Sequence, residues 1–210
     1  MAAVLIATSN AGKLRDFAGA AAEHGIEVAG LPNFSSLPPV AEDQPTFEAN
    51  ARKKAEAYSR FAPGAVVLAD DSGLEVRVLN GAPGVRSARF AATSAEENAS
   101  DAANNARLLA ELRTVPEDRR QAQFVCVIVA GRDGKMLATF RGEAQGVILH
   151  APRGAGGFGY DPLFYFPQLG KTFAELSAVE KARVSHRGQA FRKFLEWMRG
   201  RSRAVEDDPG

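Results

Sequence analysis

Two adjacent carboxylates, Asp70 and Asp71, have the side chains best suited to chemistry, and they lie in the segment Asp70-Asp71-Ser72-Gly73. They follow the apolar run Ala65 to Ala69, which predicts a buried strand, and we expect them where that strand enters a loop. Carboxylates there can bind a hard cation, and one can accept a proton from an attacking water. Glu42, in the preceding loop, could supply a third carboxylate. A plain Asp-Ser-Gly turn is the alternative interpretation.

A second candidate lies near the N-terminus, in the polar turn Thr8-Ser9-Asn10-Ala11-Gly12-Lys13. An apolar run precedes the turn and helical spacing follows it, so free backbone N–H groups and the helix dipole favour phosphate there. An ordinary loop with a solvated lysine explains the same pattern. The P-loop motif is absent, because the sequence Gly-Lys-Thr at 170–172 has Tyr165 where the motif requires glycine. We therefore expect no switch-type NTPase that removes the γ-phosphate.

Two later segments contain groups that could bind the rest of a nucleotide. The sequence from Gly156 to Pro162 combines flexible glycines with two aromatic rings, as a base-stacking pocket requires. Further along, Lys181, His186 and Arg187 could donate hydrogen bonds to phosphate or to a base carbonyl. A tight turn anchored by buried aromatics and a structural histidine are the alternatives. No second His or Cys lies at metal-ligand spacing, which disfavours zinc.

Composition narrows the possible partners. The 210 residues include 26 basic and 25 acidic side chains, with a net charge of +1. This balance argues against a nucleic acid polymer, so we expect a small-molecule ligand. The single cysteine, Cys126, lies in an apolar run and is compatible with a reducing compartment. Apolar runs are too short for a signal peptide or a membrane span, and we expect a cytoplasmic protein.

The order of predicted elements gives the fold class. Strands alternate with helices early in the chain and hairpins follow, which predicts an α/β fold with a mixed sheet. Thr46 should cap a helix. Capping-box spacing at Ser94 with Glu97 predicts the start of another helix, and the same spacing at Ser177 with Glu180 predicts a third.

Further boundaries follow from turn signals. Residues 121–130 and 135–140 should form a hairpin across an Arg-Asp-Gly turn, and a separate strand is expected at 74–79. We assign residues 1–200 to a single domain and residues 201–210 to a flexible C-terminal tail.

Six segments in series resemble the Ham1-like inosine triphosphate pyrophosphatase family, which comprises dITP/XTP, or non-canonical purine NTP, pyrophosphatases. The segments are Thr8 to Lys13, Thr46 to Lys54, Ala69 to Leu74, Gly81 to Arg89, Gly157 to Pro162, and Ser185 to Gly188. Each motif is weak by itself, but six in this order are specific, and the resemblance spans about the whole chain. It implies an ITPase-like fold: an elongated mixed central β-sheet flanked by helices, with two lobes and a cleft between them.

The resemblance also implies an activity. It is similar to that of Mg²⁺-dependent hydrolases that convert dITP, ITP or XTP to the monophosphate and pyrophosphate and so remove them from the nucleotide pool. By resemblance, Glu42 and Asp71 would bind the metal, Asp71 would accept the proton, and His186 with Arg187 would read the 6-oxo group of the purine. The resemblance assigns substrate contacts to Thr8, Ser9, Asn10, Ala11, Gly12, Lys13, Lys54, Ser72, Phe158, Gly159, Tyr160, Asp161, Lys181, His186 and Arg187. A homodimer is implied as well.

Two rival functions remain open at this point. A Maf-like pyrophosphatase for pyrimidine or modified nucleotides also has an Asn- and Lys-containing first loop. A nucleotide-binding module without catalysis would be expected to have lost its carboxylates, whereas Glu42, Asp70 and Asp71 are all present.

Overall fold

The fold is organised around a central sheet, with helices on both faces. The computed structural model describes residues 3–94 and 97–206. Its strands are β1 (Val4–Ile6), β2 (Val28–Gly30), β3 (Val67–Val76), β4 (Gln121–Arg132), β5 (Lys135–Ile148), β6 (Phe164–Phe166) and β7 (Lys171–Thr172). Its α-helices are α1 (Ala11–Ala22), α2 (Phe47–Tyr58), α3 (Asp101–Glu111), α4 (Ala178–Val184) and α5 (His186–Glu206).

The described strands form one mixed sheet in the order β2-β1-β3-β4-β5-β6-β7. β1 pairs in parallel with β2 and β3, and the pairs from β3 onward are antiparallel. β4 and β5 form the predicted hairpin, and its turn residues Asp133 and Gly134 have φ values of 51° and 81°. Two consecutive positive φ angles are typical of the tight turns that match strand twist. The predicted mixed sheet and hairpin are confirmed, although β5 continues to Ile148.

Side-chain caps fix where the helices begin. Thr46 accepts a hydrogen bond from the Ala49 N–H at 3.2 Å, as predicted. Ser177 and Glu180 form the predicted reciprocal capping box, with bonds of 3.2 and 2.8 Å. Each such bond satisfies a backbone donor that the first helical turn leaves free.

The prediction of a helix starting at Ser94 is wrong. α3 begins at Asp101, and Ser100 is its N-cap, accepting from the Ala103 N–H at 3.1 Å. The Ser100 hydroxyl caps the helix, and the acidic residue Asp101 in the first turn suits the positive end of the helix dipole. Residues 95–96, inside the predicted box, lie outside the described part of the chain.

The two faces of the sheet are buried against different helices. Leu68 and Ile128 pack with α1 and α5, whereas Val67 and Val127 pack with α2. This alternation follows from the period of two in a strand. α5 approaches β5 so closely that a Cβ on Gly142 would lie 2.1 Å from the His186 carbonyl oxygen.

A further apolar cluster, which includes Leu74, Phe124, Phe164 and Phe173, lies toward α3 and β6. α5 continues to Glu206, so the predicted tail is helical as far as the structure describes it, and residues 207–210 lie outside that part. Within the described ranges, none of the helices has the length and apolar content needed to cross a membrane.

Candidate active site

The carboxylate pair lies within a strand. β3 runs without a break from Val67 to Val76 and pairs with β4 along its length, Asp70 opposite Ile128 and Asp71 opposite Val127. The prediction that the pair marks a strand end followed by a loop, or an Asp-Ser-Gly turn, is therefore wrong. Neighbouring strand residues point to opposite faces, so the two carboxylates have different partners.

Asp70 faces α1 and α5. Its Oδ2 atom lies 3.0 Å from Lys13 Nζ and 3.7 Å from a guanidinium nitrogen of Arg187. Burial would raise the pKa of Asp70, but the charges of Lys13, Arg187 and Lys54 outweigh it and hold that pKa far below the ordinary value. Asp70 is therefore a permanently charged residue that orients cations.

Asp71 faces α2 and has the opposite electrostatic behaviour. Its Oδ2 accepts from Asn50 Nδ2 at 2.9 Å, and its Oδ1 accepts from the Ser72 N–H at 3.1 Å. The side chain is almost fully buried. Burial raises the pKa of Asp71 to about 6, and the negative charge of Glu42 adds to this, whereas Lys54 opposes it. A carboxylate with a pKa close to neutrality can take up and release a proton under physiological conditions.

Lys54 connects the metal-ligand candidates. Its ammonium group lies 2.6 Å from Glu42 Oε1, 3.9 Å from Asp71 Oδ1, and 2.6 Å from the Asp70 carbonyl oxygen. Burial raises the pKa of Glu42, but Lys54 outweighs this and holds it below the ordinary value. A cation is therefore already held between the two carboxylates.

The loop that contains Glu42 is anchored at two points. Arg89 donates a hydrogen bond to the Glu42 carbonyl oxygen. Asn50 accepts from the Gln44 N–H at 2.9 Å while its amide nitrogen also reaches Asp71. Asn50 thus fixes both the loop and the Asp71 carboxylate.

The N-terminus of α1 forms another wall. The Asn10 side chain caps the helix by accepting from the Lys13 N–H at 3.0 Å. Gly12 lies directly under the Phe158 ring, because a Cβ at this position would be 2.5 Å from Phe158 Cδ1. The helix start and the later aromatic loop therefore meet at one place.

His186 and Arg187 lie at the start of α5. The His186 ring stacks on Phe124 with centroids 4.7 Å apart, and burial together with the Arg187 charge holds its pKa well below 6.5. His186 is therefore neutral. Arg187 donates to Asp16 at 2.6 Å and to Ser72 Oγ at 2.8 Å. Among the described residues, neither His186 Nδ1 nor Arg187 Nε has a hydrogen-bond partner, although both atoms are buried.

These groups surround one pocket. Its wall contains Asn10, Lys13, Glu42, Asp71, Ser72, Gly73, Val85, Ser87, Ala88, Asp101, Asn104, Phe124, Phe158, Gly159, Tyr160, Asp161, Lys181, His186 and Arg187. The enclosed space is about 780 Å³ including its opening to solvent.

The profile of the Ham1 family matches residues 4–197. The chain belongs to the Ham1 family. The dITP/XTP pyrophosphatase of Acidobacterium capsulatum is 49% identical over 199 residues, covering 93% of this chain and 97% of that protein. The dITP/XTP pyrophosphatase of Geobacillus kaustophilus is 48% identical over 196 residues, covering 93% and 94%.

Solved structures of Ham1 proteins have the same fold. The Staphylococcus aureus Ham1 protein is 41% identical with a TM-score of 0.78, and the match covers 95% of this chain and 100% of that chain. A HAM1 protein from Coxiella burnetii is 36% identical with a TM-score of 0.79 and the same coverage. Both the family resemblance and the α/β fold class are therefore confirmed.

Most of the predicted site residues of this Ham1-family chain lie on the pocket wall. The exceptions are Thr8, Ser9, Ala11, Gly12 and Lys54, which are absent from the wall as the structure describes it. Lys54 lies behind Glu42, where it neutralises the carboxylates. A contact between these five residues and a substrate remains a prediction.

Several residues of the site were not predicted from sequence. Asp16 holds both Arg187, at 2.6 Å, and Lys181, at 3.3 Å. Its position three residues after Lys13, on the same helical face, was a usable signal. Asp101 and Phe124 also line the pocket, but their local sequence shows no motif, because pairing and packing over long sequence distances bring them there.

Proposed function

We propose that this Ham1-family protein hydrolyses dITP, ITP and XTP to the nucleoside monophosphate and pyrophosphate, and so removes non-canonical purines from the nucleotide pool. The single observation that carries this proposal is the geometry of Asp71, a buried carboxylate with a pKa of about 6 on the wall of a pocket that Lys13, His186 and Arg187 also line. The names of relatives about half identical over most of the chain support the same activity.

Asp71 would act as the general base. A water oxygen attacks the α-phosphorus, the bond from that phosphorus to the oxygen bridging to the β-phosphate breaks, and pyrophosphate leaves with the bond electrons. The proton of the water passes to Asp71, whose Oδ atoms are already oriented by Asn50 and by the Ser72 N–H. A base with a pKa near the working pH is ionised and still basic enough to accept this proton.

The residues present fit a magnesium ion. Glu42 and Asp71 are hard oxygen donors on the pocket wall, and they already hold the Lys54 ammonium between them. Within the described residues there is no group of three or more His, Cys, Asp or Glu side chains that could hold a metal. One or two protein carboxylates completed by water and phosphate oxygens are characteristic of Mg²⁺ sites. When bound, the ion would neutralise phosphate charge and favour attack by water.

The phosphates would lie between Lys13, at the start of α1, and Lys54, beside Glu42 and Asp71. Lys13 lines the pocket and belongs to the first turn of α1, whose free N–H groups and dipole favour anions. Lys54 lies close enough to Glu42 and Asp71 to exchange a carboxylate partner for a phosphate oxygen.

The base would be read by His186 and Arg187. Each has a buried ring or guanidinium nitrogen without a partner among the described residues, and both line the pocket. A 6-oxo purine presents an acceptor to the Arg187 guanidinium and to whichever His186 nitrogen carries the proton, whereas adenine presents an amino group. Leaving buried donors unpaired costs about 1–3 kcal/mol per group, which favours the oxo purine.

We further propose, from the family resemblance, that the protein is a homodimer in the cytoplasm. Sedimentation at micromolar concentration tests the dimer, because a monomer mass would contradict it.

Incubating purified protein with Mg²⁺ and dITP, XTP, dATP or dTTP, and measuring pyrophosphate, tests the activity. We expect pyrophosphate from dITP and XTP, and a decrease of about 10²–10⁴-fold for Asp71→Asn. Asp118→Asn, an exposed acid outside the pocket wall, is the matched control.

Four outcomes would contradict the proposal. Release of orthophosphate alone, or full activity of Asp71→Asn, would exclude the mechanism. Faster hydrolysis of dTTP than of dITP would favour the Maf-like alternative. Binding of dITP without any hydrolysis would favour a non-catalytic module.

A further inference from the structure

Helix α3 is hydrogen-bonded to the loop that contains Phe158, Gly159 and Tyr160, which belong to the proposed nucleobase-binding part of the pocket. The Gly159 N–H donates to Asp101 Oδ2 at 2.7 Å, and the Gly159 carbonyl oxygen accepts from Asn105 Nδ2 at 2.9 Å. Asp101 and Asn105 are four residues apart, so their side chains lie on the same helical face. Both polar groups of one peptide residue are thus bound by one helix.

Gly159 is the central residue of the loop. Its φ is +61°, and it separates Phe158 from Tyr160 on the pocket wall. Asp161 then closes the turn by accepting from the Phe158 N–H at 2.9 Å. The position in which α3 holds the Gly159 backbone therefore determines where the neighbouring Phe158 ring lies over the pocket.

The Phe158 ring has charged neighbours that belong to the proposed base subsite. Lys181 Nζ lies 4.8 Å from the ring centroid, and the Arg187 guanidinium carbon lies 5.5 Å from it. A displacement of Gly159 would move this ring relative to both cations. Asp101 and Asn105 thereby act on base recognition, although neither belongs to the phosphate end of the pocket.

The Asn105 amide is oriented by its hydrogen bond to Gly159. Its Nδ2 faces the Gly159 carbonyl, while its Oδ1 is buried and has no hydrogen-bond partner among the described residues. A buried acceptor without a partner is destabilising, so an apolar side chain would suit this position better for folding alone.

We propose that Asp101 and Asn105 form a clamp on Gly159 that positions the nucleobase-binding loop and so sets the affinity and selectivity for the purine. This inference rests on the proposed function. It assigns α3 a role in specificity, with Asn105 as a positioning residue that acts through Gly159 and Phe158.

The key variant is Asn105→Leu, which removes the donor to Gly159 together with the unpaired acceptor. We expect the Kd for inosine monophosphate, measured by calorimetry, and the KM for dITP each to rise about fivefold, the change expected from loss of one ordinary hydrogen bond. The kcat for dITP and the Kd for pyrophosphate should change less than about twofold, because the described hydrogen bonds of the Asp101 and Asn105 side chains run to Gly159 and not to Lys13, Glu42 or Asp71. The Tm should stay equal or rise. Ala106→Leu, at an exposed position of the same helix, is the matched control.

A second pair of variants examines the other half of the clamp. Asp101→Ala should weaken inosine monophosphate binding about as much as Asn105→Leu. Asp101→Asn keeps an oxygen that can accept from the Gly159 N–H, so it should restore most of the lost affinity.

Unchanged inosine monophosphate binding and an unchanged ratio of kcat/KM for dITP over dATP in Asn105→Leu would overturn the clamp. A parallel loss of pyrophosphate binding, kcat and Tm would also overturn it, since that pattern indicates a general structural role. Failure of the proposed function would look different: the wild-type protein itself would neither hydrolyse dITP nor bind inosine monophosphate.

Discussion

Acidification should inactivate the protein near pH 6 rather than near pH 4. Asp71 has a pKa of about 6 in the folded protein, against 3.8 for an ordinary aspartate, because burial and the Glu42 charge disfavour its ionised form. The pKa of the metal-free enzyme governs kcat/KM if Mg²⁺ arrives with dITP, so a requirement for ionised Asp71 would give kcat/KM for dITP an acidic limb at this pKa.

The size of the effect follows from the ionised fraction. At pH 5, a carboxyl with a pKa of about 6 is roughly one-tenth ionised, whereas one with a pKa of 3.8 is about nine-tenths ionised. We therefore expect kcat/KM at pH 5 to be about tenfold below its plateau, falling a further tenfold for each lower pH unit. Pyrophosphate release at subsaturating dITP, measured between pH 4.5 and 9, gives this profile.

The charge of Glu42 supplies an independent test of the cause. In the metal-free protein, ¹³C NMR of the aspartate carboxyls should show a titration near pH 6 that is missing in Asp71→Asn. Glu42→Gln should lower that pKa, because the Glu42 charge raises it. Asp43→Asn, an exposed acid in the same loop, should leave it unchanged. Titration of Asp71 below pH 4.5 in the wild-type protein would refute this reasoning.

The same pKa links Asp71 to stability, and the sign can be worked out. Because the folded-state pKa is raised above the unfolded value of 3.8, the stabilising contribution is complete below pH 3.8 and is lost as the pH rises through about 6. The difference corresponds to about 3 kcal/mol for this buried group. Urea unfolding should show wild type gaining stability relative to Asp71→Asn by an amount of this order between pH 8 and pH 4.

Two further variants have expected outcomes. Lys54→Met removes the ammonium held between Glu42 and Asp71, so titration calorimetry should show tighter Mg²⁺ binding to the nucleotide-free protein. Lys53→Met, at a half-buried lysine paired with Asp43, is the control. Weaker binding would show that Lys54 does not compete with the metal. Gly142→Ala places a Cβ 2.1 Å from the His186 carbonyl oxygen, and urea unfolding should show a loss of roughly 1–3 kcal/mol, whereas Gly200→Ala, with open space around it, should be neutral or stabilising.

Local signals in the sequence were sufficient for much of the fold. The caps at Thr46 and Ser177 were predicted because a capping hydroxyl acts on its own next turn. The Ser94 cap was mispredicted because the same local pattern was in competition with Ser100, which precedes an acidic first turn. The length of β3 was missed because its continuity depends on pairing with β4, about 60 residues further along the chain, and a strand that holds a buried Asp-Asp pair has no local signature.

Sequence motifs indicated those candidate-site residues whose type and local pattern suggest a chemical role. Lys13, Asp71, His186 and Arg187 all line one pocket, and their roles there remain predictions. Sequence could not assign partners: Asp16 orients two cations, and it is recognisable only when α1 and α5 are seen together. Nor could sequence separate Asp70 from Asp71, since the two differ in their surroundings and not in their residue type.

That separation is the feature on which the proposed chemistry depends. Asp70 contacts Lys13 and Arg187 on one face of β3 and remains charged, whereas Asp71 contacts Asn50 on the other face and titrates near neutrality. A one-residue slip of β3 against β4 would exchange the two faces and give each carboxylate the other's partners. The uninterrupted pairing of β3 with β4 therefore does more than stabilise the sheet. It determines which of two adjacent, chemically identical side chains is placed to act as the proposed base and which one holds the cations.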